Sequence, residues 1–560
     1  MEFKNREFAD ARRILKIRNL KVALSDRPNA APVLDGIDLD IHAGETHCLV
    51  GESGSGKSVT SLAVMGLLPK GALEVSGGLI DLEGTEITAA SPGKMRELRA
   101  QRIAMIFQEP MTALNPVLRV GEQIEEVLAM HTDLSKSAAR ERTLQIMRDV
   151  HLPDVERVYG SFPHQLSGGQ RQRIMIAMAL VLDPDLLIAD EPTTALDVTT
   201  QLQILKLISE MQERHGTAVL FITHDMGVVA EIADTVSVMQ QGRIVERAPI
   251  RALLTDPKEP YTRKLLEAVP SLTPRDAREA ASEETVLTVT DLGMSYGGGG
   301  FFRKSAGVRA AKNVSFDLRP GRTLGIVGES GSGKSTVARC IMRLIEPTEG
   351  RIDLAGEEIA HLSRRALRPH RRHFQIVFQD PYRSLNPRWT VGRSLCEGPV
   401  NFGTSRADAM ARAAELMEIV GLPRDALDRY PHQFSGGQRQ RIAIARAVAM
   451  QPDVLVADEA VSALDVSVQA QVLDLLEEVQ ARFGIAMLFI THDLRVAAQI
   501  CDDVLVMQKG EVVEQGPAAR VLGDPQHSYT KSLIYAAPGR HWDFARFRAL
   551  ESTPRPGVSA

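Results

Sequence analysis

Short apolar runs that end in acidic or polar residues recur along the chain and predict buried strands of a parallel sheet. Two of them are DLLIADE (185–191) and DVLVADE (453–459), and two more are VLFITHD (219–225) and MLFITHD (487–493). Strands that are buried on both faces have unbroken apolar runs of this kind. The stretches 120–165 and 391–430 have helical periodicity instead, and they lie between the strand motifs. This alternation predicts an α/β fold with a mostly parallel sheet and an inserted helical segment in each half.

The chain contains an internal duplication, which predicts two domains of the same kind. GESGSGKS begins at residues 51 and 328, SGGQRQRI at 167 and 435, and THD at 223 and 491. We therefore predict a first domain over 12–270 and a second over 286–540, joined by the polar stretch 271–285. This linker is expected to be a flexible coil that tethers the halves closely. The tail 541–560 has aromatic and basic residues, which fit either docking on a partner or a frayed terminus.

Composition and charge restrict the classes of function. The 560 residues carry a formal net charge of −5, which gives no global reason to bind nucleic acid or anionic lipid. No stretch approaches the roughly 18 uninterrupted apolar residues of a membrane span. The N-terminal MEFKNREFADARR lacks the apolar core of a secretory signal, which favours the cytosol. Cys48, Cys340, Cys396 and Cys501 are scattered, so we predict buried thiols rather than a disulfide framework or a zinc site.

The motif GxxxxGKS follows an apolar strand and opens a helix in each half. Its glycines let backbone N–H groups close on phosphate oxygens at the helix N-terminus. The lysine is then expected to reach the β- and γ-phosphates, and the last serine to hold Mg²⁺. Because the motif occurs twice in the same context, it predicts two ATP sites rather than two ordinary glycine turns. The predicted residues are Gly51, Ser53, Gly54, Gly56, Lys57, Ser58 and Val59 in the first half and Gly328, Ser330, Gly331, Gly333, Lys334, Ser335 and Thr336 in the second.

An Asp-Glu pair ends one apolar strand behind each glycine loop. We expect Asp190 and Asp458 to ligate Mg²⁺ directly or through water. Glu191 and Glu459 then stand where a carboxylate could polarise the attacking water. An acidic pair at a strand end is often merely solvated, but this spacing behind a P-loop favours catalysis.

A second anion-binding element is predicted where LSGGQ or FSGGQ opens a long helix. A serine and two glycines at a helix N-terminus present unpaired N–H groups to an anion. The same residues also serve as a plain helix cap. Their recurrence shortly before each Asp-Glu strand favours nucleotide binding. The residues are Ser167, Gly168, Gly169 and Gln170, and Ser435, Gly436, Gly437 and Gln438.

Together these motifs resemble those of the ATP-binding-cassette family over nearly the whole chain. The resemblance implies two tandem P-loop nucleotide-binding domains, each with a RecA-like core, an antiparallel β subdomain and an inserted helical subdomain. It implies that Gln108 and Gln379 contact Mg²⁺ and sense the γ-phosphate. His224 and His492 resemble the switch histidines that hold this phosphate. Two cassettes of this family pack head to tail around two ATP molecules, so an intramolecular cassette dimer with two complete sites is implied.

One position in the adenine-binding region differs between the halves. The family usually stacks adenine on an aromatic residue upstream of the P-loop. Tyr296 fits this role in the second half, whereas Leu24 stands at the matching position in the first. A weaker base platform is therefore expected in the first site.

By the same resemblance to the family, residues 195–197 and 463–465 are expected to form the D-loops.

The segments 107–124 and 378–395 resemble the oligopeptide, dipeptide and nickel importer ATPases, as do EPYTRKLLEAVP from Glu259 and HSYTKSLIYAAP from His527. Fused forms in that subfamily serve glutathione, peptide and microcin importers. The resemblance implies peripheral attachment at the cytoplasmic face of the inner membrane. It also implies two unlike integral-membrane permease subunits, docked near 110–116 and 381–387, and a solute-binding protein that acts through them. No cysteine lies near either YT motif, so the iron–sulfur cluster of some relatives is not expected.

A soluble twin-cassette ATPase that acts on ribosomes or nucleic acid is the alternative interpretation. Translation factors of that type join their cassettes by a long, charged, helical linker, which the short stretch 271–285 does not match. The DNA-repair type needs zinc-spaced cysteines, which this sequence lacks. An importer ATPase is therefore favoured. Peptide is the solute class of the subfamily, and the residues leave the solute itself open.

Overall fold

The computed structural model describes residues 8, 11–27, 30–108, 113–194, 196–278, 282–297, 308–462 and 464–550. The chain divides into two compact units. Unit 1 contains Met1–Leu196, Thr200–Glu267 and Pro538–Ala560, and unit 2 contains Asp197–Thr199 and Ala268–Ala537. Each unit is thus built mainly from one copy of the duplicated sequence.

Strands from the first sequence copy form two sheets in unit 1. They are β1 (Arg13–Leu24), β2 (Leu34–His42), β3 (Thr46–Val50), β4 (Leu73–Leu82), β5 (Thr85–Glu86), β6 (Ile103–Ile106), β7 (Leu186–Asp190), β8 (Ala218–Thr223), β9 (Thr235–Gln240) and β10 (Arg243–Pro249). One sheet is antiparallel in the order β2-β1-β4-β5. The other has the order β10-β9-β3-β8-β7-β6 and is parallel except at its edge strand β10. Strands β3, β7 and β8 are buried along their whole length, as their apolar sequences predict.

The helices of unit 1 either cover the parallel sheet or form a group inserted between β6 and β7. They are α1 (Lys57–Val64), α2 (Pro92–Gln101), α3 (Val120–His131), α4 (Lys136–Asp149), α5 (Val155–Tyr159), α6 (Gly168–Leu180), α7 (Val198–His215), α8 (Met226–Ile232), α9 (Ile250–Thr255) and α10 (Pro260–Glu267). The inserted group is α3 to α6, and its first three helices confirm the predicted helical segment 120–165. One buried cluster, which includes Ile17, Val64 and Ile188, joins the antiparallel sheet, α1 and the parallel sheet.

Unit 2 repeats this architecture with the second sequence copy. Its strands are β11 (Leu287–Tyr296), β12 (Val308–Leu318), β13 (Thr323–Val327), β14 (Glu349–Leu354), β15 (Glu357–Glu358), β16 (Phe374–Val377), β17 (Val454–Asp458), β18 (Ala486–Thr491), β19 (Asp503–Gln508) and β20 (Glu511–Pro517). The sheet orders are β12-β11-β14-β15, which is antiparallel, and β16-β17-β18-β13-β19-β20, in which only β20 is antiparallel. The predicted α/β fold is therefore confirmed in both units.

The helices of unit 2 follow the same plan. They are α11 (Lys334–Ile341), α12 (Arg364–Leu367), α13 (Pro381–Ser384), α14 (Val391–Asn401), α15 (Arg406–Ile419), α16 (Gly436–Val448), α17 (Val466–Phe483), α18 (Leu494–Ile500), α19 (Ala518–Gly523) and α20 (Ser528–Ala536). None of the helices in the described residues is long and apolar enough to cross a membrane. All four cysteines are buried and free, as predicted.

The linker stretch differs from the flexible coil expected of it. Arg275 and Arg278 both form ion pairs with Glu477, and Arg275 also pairs with the buried Asp502. Residues 268–278 are therefore docked on unit 2, because these two arginines find acidic partners there. Residues 279–281 of the linker lie outside the described residues.

The start of the C-terminal tail is also docked rather than frayed. Strands β21 (Trp542–Asp543) and β22 (Arg548–Ala549) pair antiparallel within unit 1. Trp542 is 6% exposed and Phe544 3% exposed, so both rings are buried. Residues 551–560 of the tail lie outside the described residues.

Candidate nucleotide-binding and catalytic sites

The P-loop of each unit connects the central strand of the parallel sheet to a helix. Gly56 precedes α1 with φ +106°, and Gly333 precedes α11 with φ +108°. A Cβ on Gly333 would lie 2.2 Å from the carbonyl oxygen of Ala310, and one on Gly56 would lie 2.6 Å from Leu34 Cδ2. Glycine is therefore required at both positions by the backbone angle and by the close approach. Ser53 and Gly54 lie on the first loop, Ser330 and Gly331 lie on the second, and Val59 and Thr336 lie on the helices that follow.

The P-loop lysines are buried and turned back onto their own loops. Lys57 Nζ donates to the carbonyl oxygens of Gly51 at 2.7 Å and Glu52 at 2.9 Å. Lys334 Nζ makes the same two bonds, at 2.7 and 2.8 Å, to Gly328 and Glu329. Burial lowers the pKa of Lys334, although the nearby acids Glu459 and Asp458 act in the opposite direction. Each ammonium group is thus held at the place where the loop would meet phosphate.

The last P-loop serine contacts the aspartate at the end of the neighbouring apolar strand. Ser58 Oγ donates to Asp190 at 3.2 Å, and Ser335 Oγ donates to Asp458 at 3.1 Å. Burial raises the pKa of both aspartates, and the serine hydroxyls partly oppose this shift. Among the described residues, no group of three or more His, Cys, Asp or Glu side chains could hold a metal ion. One carboxylate and one hydroxyl suit Mg²⁺, which takes few protein ligands and fills its remaining positions with water and phosphate oxygens.

The adjacent glutamate lies between the predicted glutamine and histidine in unit 1. Gln108 Nε2 donates to Glu191 Oε2 at 2.8 Å, and His224 Nδ1 lies 3.2 Å from Oε1. Thr194 Oγ1 also donates to this carboxylate at 3.0 Å. Burial alone would raise the pKa of Glu191, but the hydrogen bonds and charge of its neighbours, chiefly His224, bring it below the ordinary value. The carboxylate is therefore charged at neutral pH.

Unit 2 brings the corresponding residues together. Gln379 Nε2 donates to Glu459 Oε2 at 2.7 Å, and His492 Nδ1 lies 3.5 Å from Oε1. Burial opposes the charge of Glu459, but His492 lowers its pKa below the ordinary value. Burial also opposes the charge of His492, and Glu459 raises the pKa of this histidine above its ordinary value. The pair thus favours its charged form despite its surroundings.

Both glutamates have a backbone conformation that residues other than glycine rarely adopt. The φ angle is +46° at Glu191 and +50° at Glu459. Such angles cost free energy and persist where the surrounding structure imposes them, often at functional sites. The angle recurs after other strands, at Gln241 and Lys509 for example, so the contacts of these glutamates with glutamine and histidine are what distinguish them.

The SGGQ segments open α6 and α16 with the same capping arrangement. Ser167 Oγ accepts from Gln170 N at 3.3 Å, while Ser167 N donates to Gln170 Oε1 at 3.0 Å. Ser435 and Gln438 repeat both bonds at the same distances. The predicted anion-binding residues therefore also form a capping box, which was the alternative interpretation of the motif.

The two glycines of each SGGQ segment have different surroundings. A Cβ on Gly169 would lie 2.7 Å from Thr200 Cγ2, and one on Gly437 would lie 2.3 Å from Val468 Cγ1. These second glycines allow close packing against α7 and α17. A Cβ on Gly436 would have no neighbouring atom within 4 Å, and one on Gly168 would have only Leu196 Cδ2, at 3.9 Å. Only the first glycine of each pair leaves room for a ligand beside its α-carbon.

Two tyrosines contact the P-loops and were not among the predicted site residues. Glu52 N donates to Tyr261 Oη at 3.2 Å, and Glu329 N donates to Tyr529 Oη at 3.1 Å. Burial is the main reason that the pKa of Tyr529 rises to about 12, so its hydroxyl stays protonated. Tyr261 and Tyr529 are 268 residues apart, as are the two SGGQ motifs and the two THD motifs. This repetition is the sequence signal by which the two tyrosines could have been found.

The strand ends that the sequence predicts to meet adenine have different side chains in the two units, and their role in base binding stays a prediction. Tyr296 ends β11 and is 42% exposed, while Leu24 ends β1 at the matching place. Unit 2 has a cavity of about 390 Å³ beside its P-loop, lined by Ala310, Ser330, Gly331, Gly333, Lys334, Ser335, Thr336 and Glu459. Ala195 and Ala463 of the predicted D-loops, and the start of the predicted permease-docking stretch 110–116, lie outside the described residues.

Comparison with known proteins identifies the family. The family described as "ABC transporter" matches residues 34–194 and 311–462. The family described as "Oligopeptide/dipeptide transporter, C-terminal region" matches 245–302 and 513–554. Both matches occur twice, in agreement with the duplicated fold.

Curated relatives match along nearly the full length. The glutathione import ATP-binding protein GsiA of Salmonella typhimurium is 46% identical over 561 residues, which cover 94% of this chain and 90% of GsiA. The GsiA proteins of Shigella boydii and Pectobacterium atrosepticum are also 46% identical, over 566 and 565 residues, with the same coverage. The chain therefore belongs to the ABC transporter family, as a twin-cassette ATP-binding subunit of an importer.

Proposed function

We propose that this ATPase energises the uptake of glutathione or similar short peptides through two permease subunits at the cytoplasmic face of the inner membrane. The observation that carries the proposal is the 46% identity to glutathione import ATP-binding proteins over 94% of the chain. This similarity includes both cassettes and both C-terminal regions. A solute-binding protein that delivers the peptide to the permeases completes the proposed system.

We assign the chemistry in each unit to one set of residues. The P-loop N–H groups and Lys57 or Lys334 bind the phosphates, and Ser58 with Asp190, or Ser335 with Asp458, holds Mg²⁺. When bound, Mg²⁺ supplies positive charge that stabilises the phosphate oxygens. Glu191 and Glu459 orient and polarise the attacking water, since both carboxylates are charged and hydrogen-bonded. His224 and His492 contact these carboxylates and bind the γ-phosphate, while Gln108 and Gln379 report its presence.

We propose that unlike permease subunits dock on the two units. Unit 1 has an apolar cavity of about 200 Å³ beside Phe107, lined mostly by methionine, alanine and other apolar side chains that include Met105 and Met178. Arg446 stands in unit 2 where Met178 stands in unit 1. Its guanidinium donates to the carbonyl oxygen of Ser384. An apolar permease side chain would therefore suit the cavity of unit 1. A polar or acidic permease side chain would suit the corresponding surface of unit 2.

An uptake assay tests the proposed solute. A strain of the source organism that lacks this gene should lose uptake of ³⁵S-labelled glutathione and regain it with the wild-type chain. The matched control is a chain with Lys57→Ala and Lys334→Ala, which should not restore uptake because both P-loops are impaired. Unlabelled short peptides should compete with glutathione, whereas Ni²⁺ should not. Normal glutathione uptake in the deletion strain would contradict the proposed solute.

A further inference from the structure

The C-terminal segments of the two sequence copies are exchanged between the units. The segment after α10 of the first copy, 268–278, belongs to unit 2, and the segment after α20 of the second copy, 538–550, belongs to unit 1. We call them the first and second exchanged segments. Pro538 lies 268 residues after Pro270, the same offset as between Tyr261 and Tyr529. The exchange is therefore reciprocal and follows the duplication.

The first exchanged segment docks on α18, the helix that follows His492. Arg495 Nη1 donates to the carbonyl oxygen of Pro270 at 2.8 Å. Arg275 N donates to the carbonyl oxygen of Ala498 at 3.1 Å. Positions three apart lie on one face of a helix, so the segment follows one side of α18.

A buried aspartate directly after α18 anchors the same segment. The side chain of Asp502 is fully buried and accepts from the Arg275 guanidinium. Asp502 also accepts from Arg278 N at 2.9 Å and from Thr323 N at 2.8 Å. A buried carboxylate that loses its cationic partner is strongly destabilising. The first exchanged segment thus supplies the charge that lets Asp502 occupy this place.

The second exchanged segment docks on α8, the helix that follows His224, by a different chemistry. Gly539 N donates to Glu231 Oε1 at 3.0 Å. The carbonyl oxygen of Pro538 approaches Gly227 so closely that a Cβ there would lie 2.7 Å away. Gly227 and Glu231 lie four positions apart, on one face of the helix. Trp542 and Phe544 bury their rings in the same unit, where the turn Phe544–Arg546 contacts α10.

We propose that each exchanged segment is a positioning element for the switch histidine of the unit on which it docks. Asp225 caps α8 directly after His224, accepting from Gly227 N at 2.8 Å, and Asp493 caps α18 directly after His492. A shift of either helix therefore moves the histidine relative to its catalytic glutamate. The C-terminal end of each sequence copy acts in this way on the His–Glu pair of the other copy. This step rests on the catalytic roles proposed above for the two pairs.

Hydrogen exchange of the full-length chain tests the docking directly. The double variant Trp542→Ala/Phe544→Ala should raise amide exchange of α8 by about 10-fold or more and leave α18 unchanged, because it weakens only the second exchanged segment. The double variant Arg275→Ala/Arg278→Ala should do the opposite. Arg546→Ala is the control, since this side chain is 72% exposed and its contact with Asp543 is long, at 3.9 Å. It should change neither helix.

Steady-state kinetics separate positioning from a merely structural role. Both double variants should lower kcat for ATP while KM stays close to that of the wild type, because the P-loops are untouched. A chain that ends at Ala537 serves as a second variant and should repeat the effect of the aromatic substitutions. Unchanged exchange, an equal rise in both helices, or a local rise with unchanged kcat would overturn the proposal. If Glu191→Gln leaves turnover intact, the proposed catalytic roles fail, while the exchange data still decide whether the segments dock as described.

Discussion

Unit 1 and unit 2 hold the same proposed catalytic groups at nearly the same distances. The Ser–Asp bonds measure 3.2 and 3.1 Å, the Gln–Glu bonds 2.8 and 2.7 Å, and the His–Glu separations 3.2 and 3.5 Å. Both glutamates also share the positive φ angle. Equal motif spacing on equivalent strand ends therefore reproduces one site geometry in both units.

The surroundings of the two sites have diverged. Leu24 in unit 1 corresponds to Tyr296 in unit 2, at the strand end that we propose meets adenine. In the inserted helical group, Met178 of unit 1 corresponds to Arg446 of unit 2. The exchanged segments differ as well, since one docks through arginines and the other through aromatic rings. The duplicated chain has thus kept one arrangement of the proposed catalytic groups in both units. It has varied the surfaces that we propose meet adenine and permease, and those on which the exchanged segments dock.

The largest effect is expected from the catalytic glutamates, and it should be equal in both units. Glu191→Gln and Glu459→Gln should each lower ATP turnover by about 100-fold or more, because a neutral amide cannot polarise the attacking water. ATP binding should persist, since the P-loop contacts remain. Glu346→Gln is the control, because that side chain is 74% exposed. Wild-type turnover in either catalytic variant would break the equivalence of the two units.

The base platforms should give the next largest effect, and here the units should differ. An aromatic–base stack contributes about 1–3 kcal/mol, or roughly 5- to 150-fold in affinity. Tyr296→Leu should weaken ATP binding by such a factor, and Leu24→Tyr should strengthen it. Calorimetry with Tyr382→Leu as an aromatic control measures both changes. If Leu24→Tyr leaves the affinity as it is, the adenine does not stack at this position.

The tyrosines that contact the P-loops should have a smaller effect. Tyr529→Phe removes the acceptor for Glu329 N, which should cost about 1 kcal/mol, or roughly 5-fold in ATP affinity. Tyr261→Phe should cost less, because Tyr261 is only half-buried and water can replace its hydroxyl. Tyr535→Phe serves as the control in titrations with ATP. Equal losses at the two positions would contradict this account of burial.

The smallest effect concerns pH and the pair of His492 and Glu459. The raised pKa of His492 means that this ion pair stabilises unit 2 fully below the ordinary histidine value of 6.5, and that the contribution is lost as pH rises through the folded pKa. Because the pKa of Glu459 is lowered, the contribution is also lost as pH falls through that folded pKa. A partly exposed pair should contribute less than about 1 kcal/mol. NMR titration of ¹³C-labelled histidine should show the raised midpoint, and Glu459→Gln should lower it.

Much of the fold and of the catalytic core follows from local sequence. Glycine spacing, apolar strands that end in acids, and capping serines specify their own geometry within a few residues, so the P-loops and the Asp-Glu strands could be predicted. The matching positions of Leu24 and Tyr296 at two strand ends could also be predicted from the aligned copies, while their effect on adenine binding stays a prediction.

Contacts between distant parts of the chain could not be predicted in this way. Tyr529 reaches Glu329 across 200 residues, and Arg275 reaches Asp502 across 227. No local pattern marks such partners, and the polar composition of 271–285 resembled that of a free linker. The C-terminal segments of the two copies repeat at an offset of 268 residues, which indicates a shared structure. The repetition does not indicate which residues these segments contact.

The central claim is that two catalytically complete cassettes power an importer, and ATPase assays in liposomes test it most directly. The chain should hydrolyse ATP slowly when free and several-fold faster when reconstituted with its permease pair and solute-loaded binding protein, because closure of the cassettes is then coupled to the permease cycle. Glu191→Gln and Glu459→Gln should each abolish this stimulation. Stimulation by ribosomes or DNA, with none by the permeases and binding protein, would contradict the account.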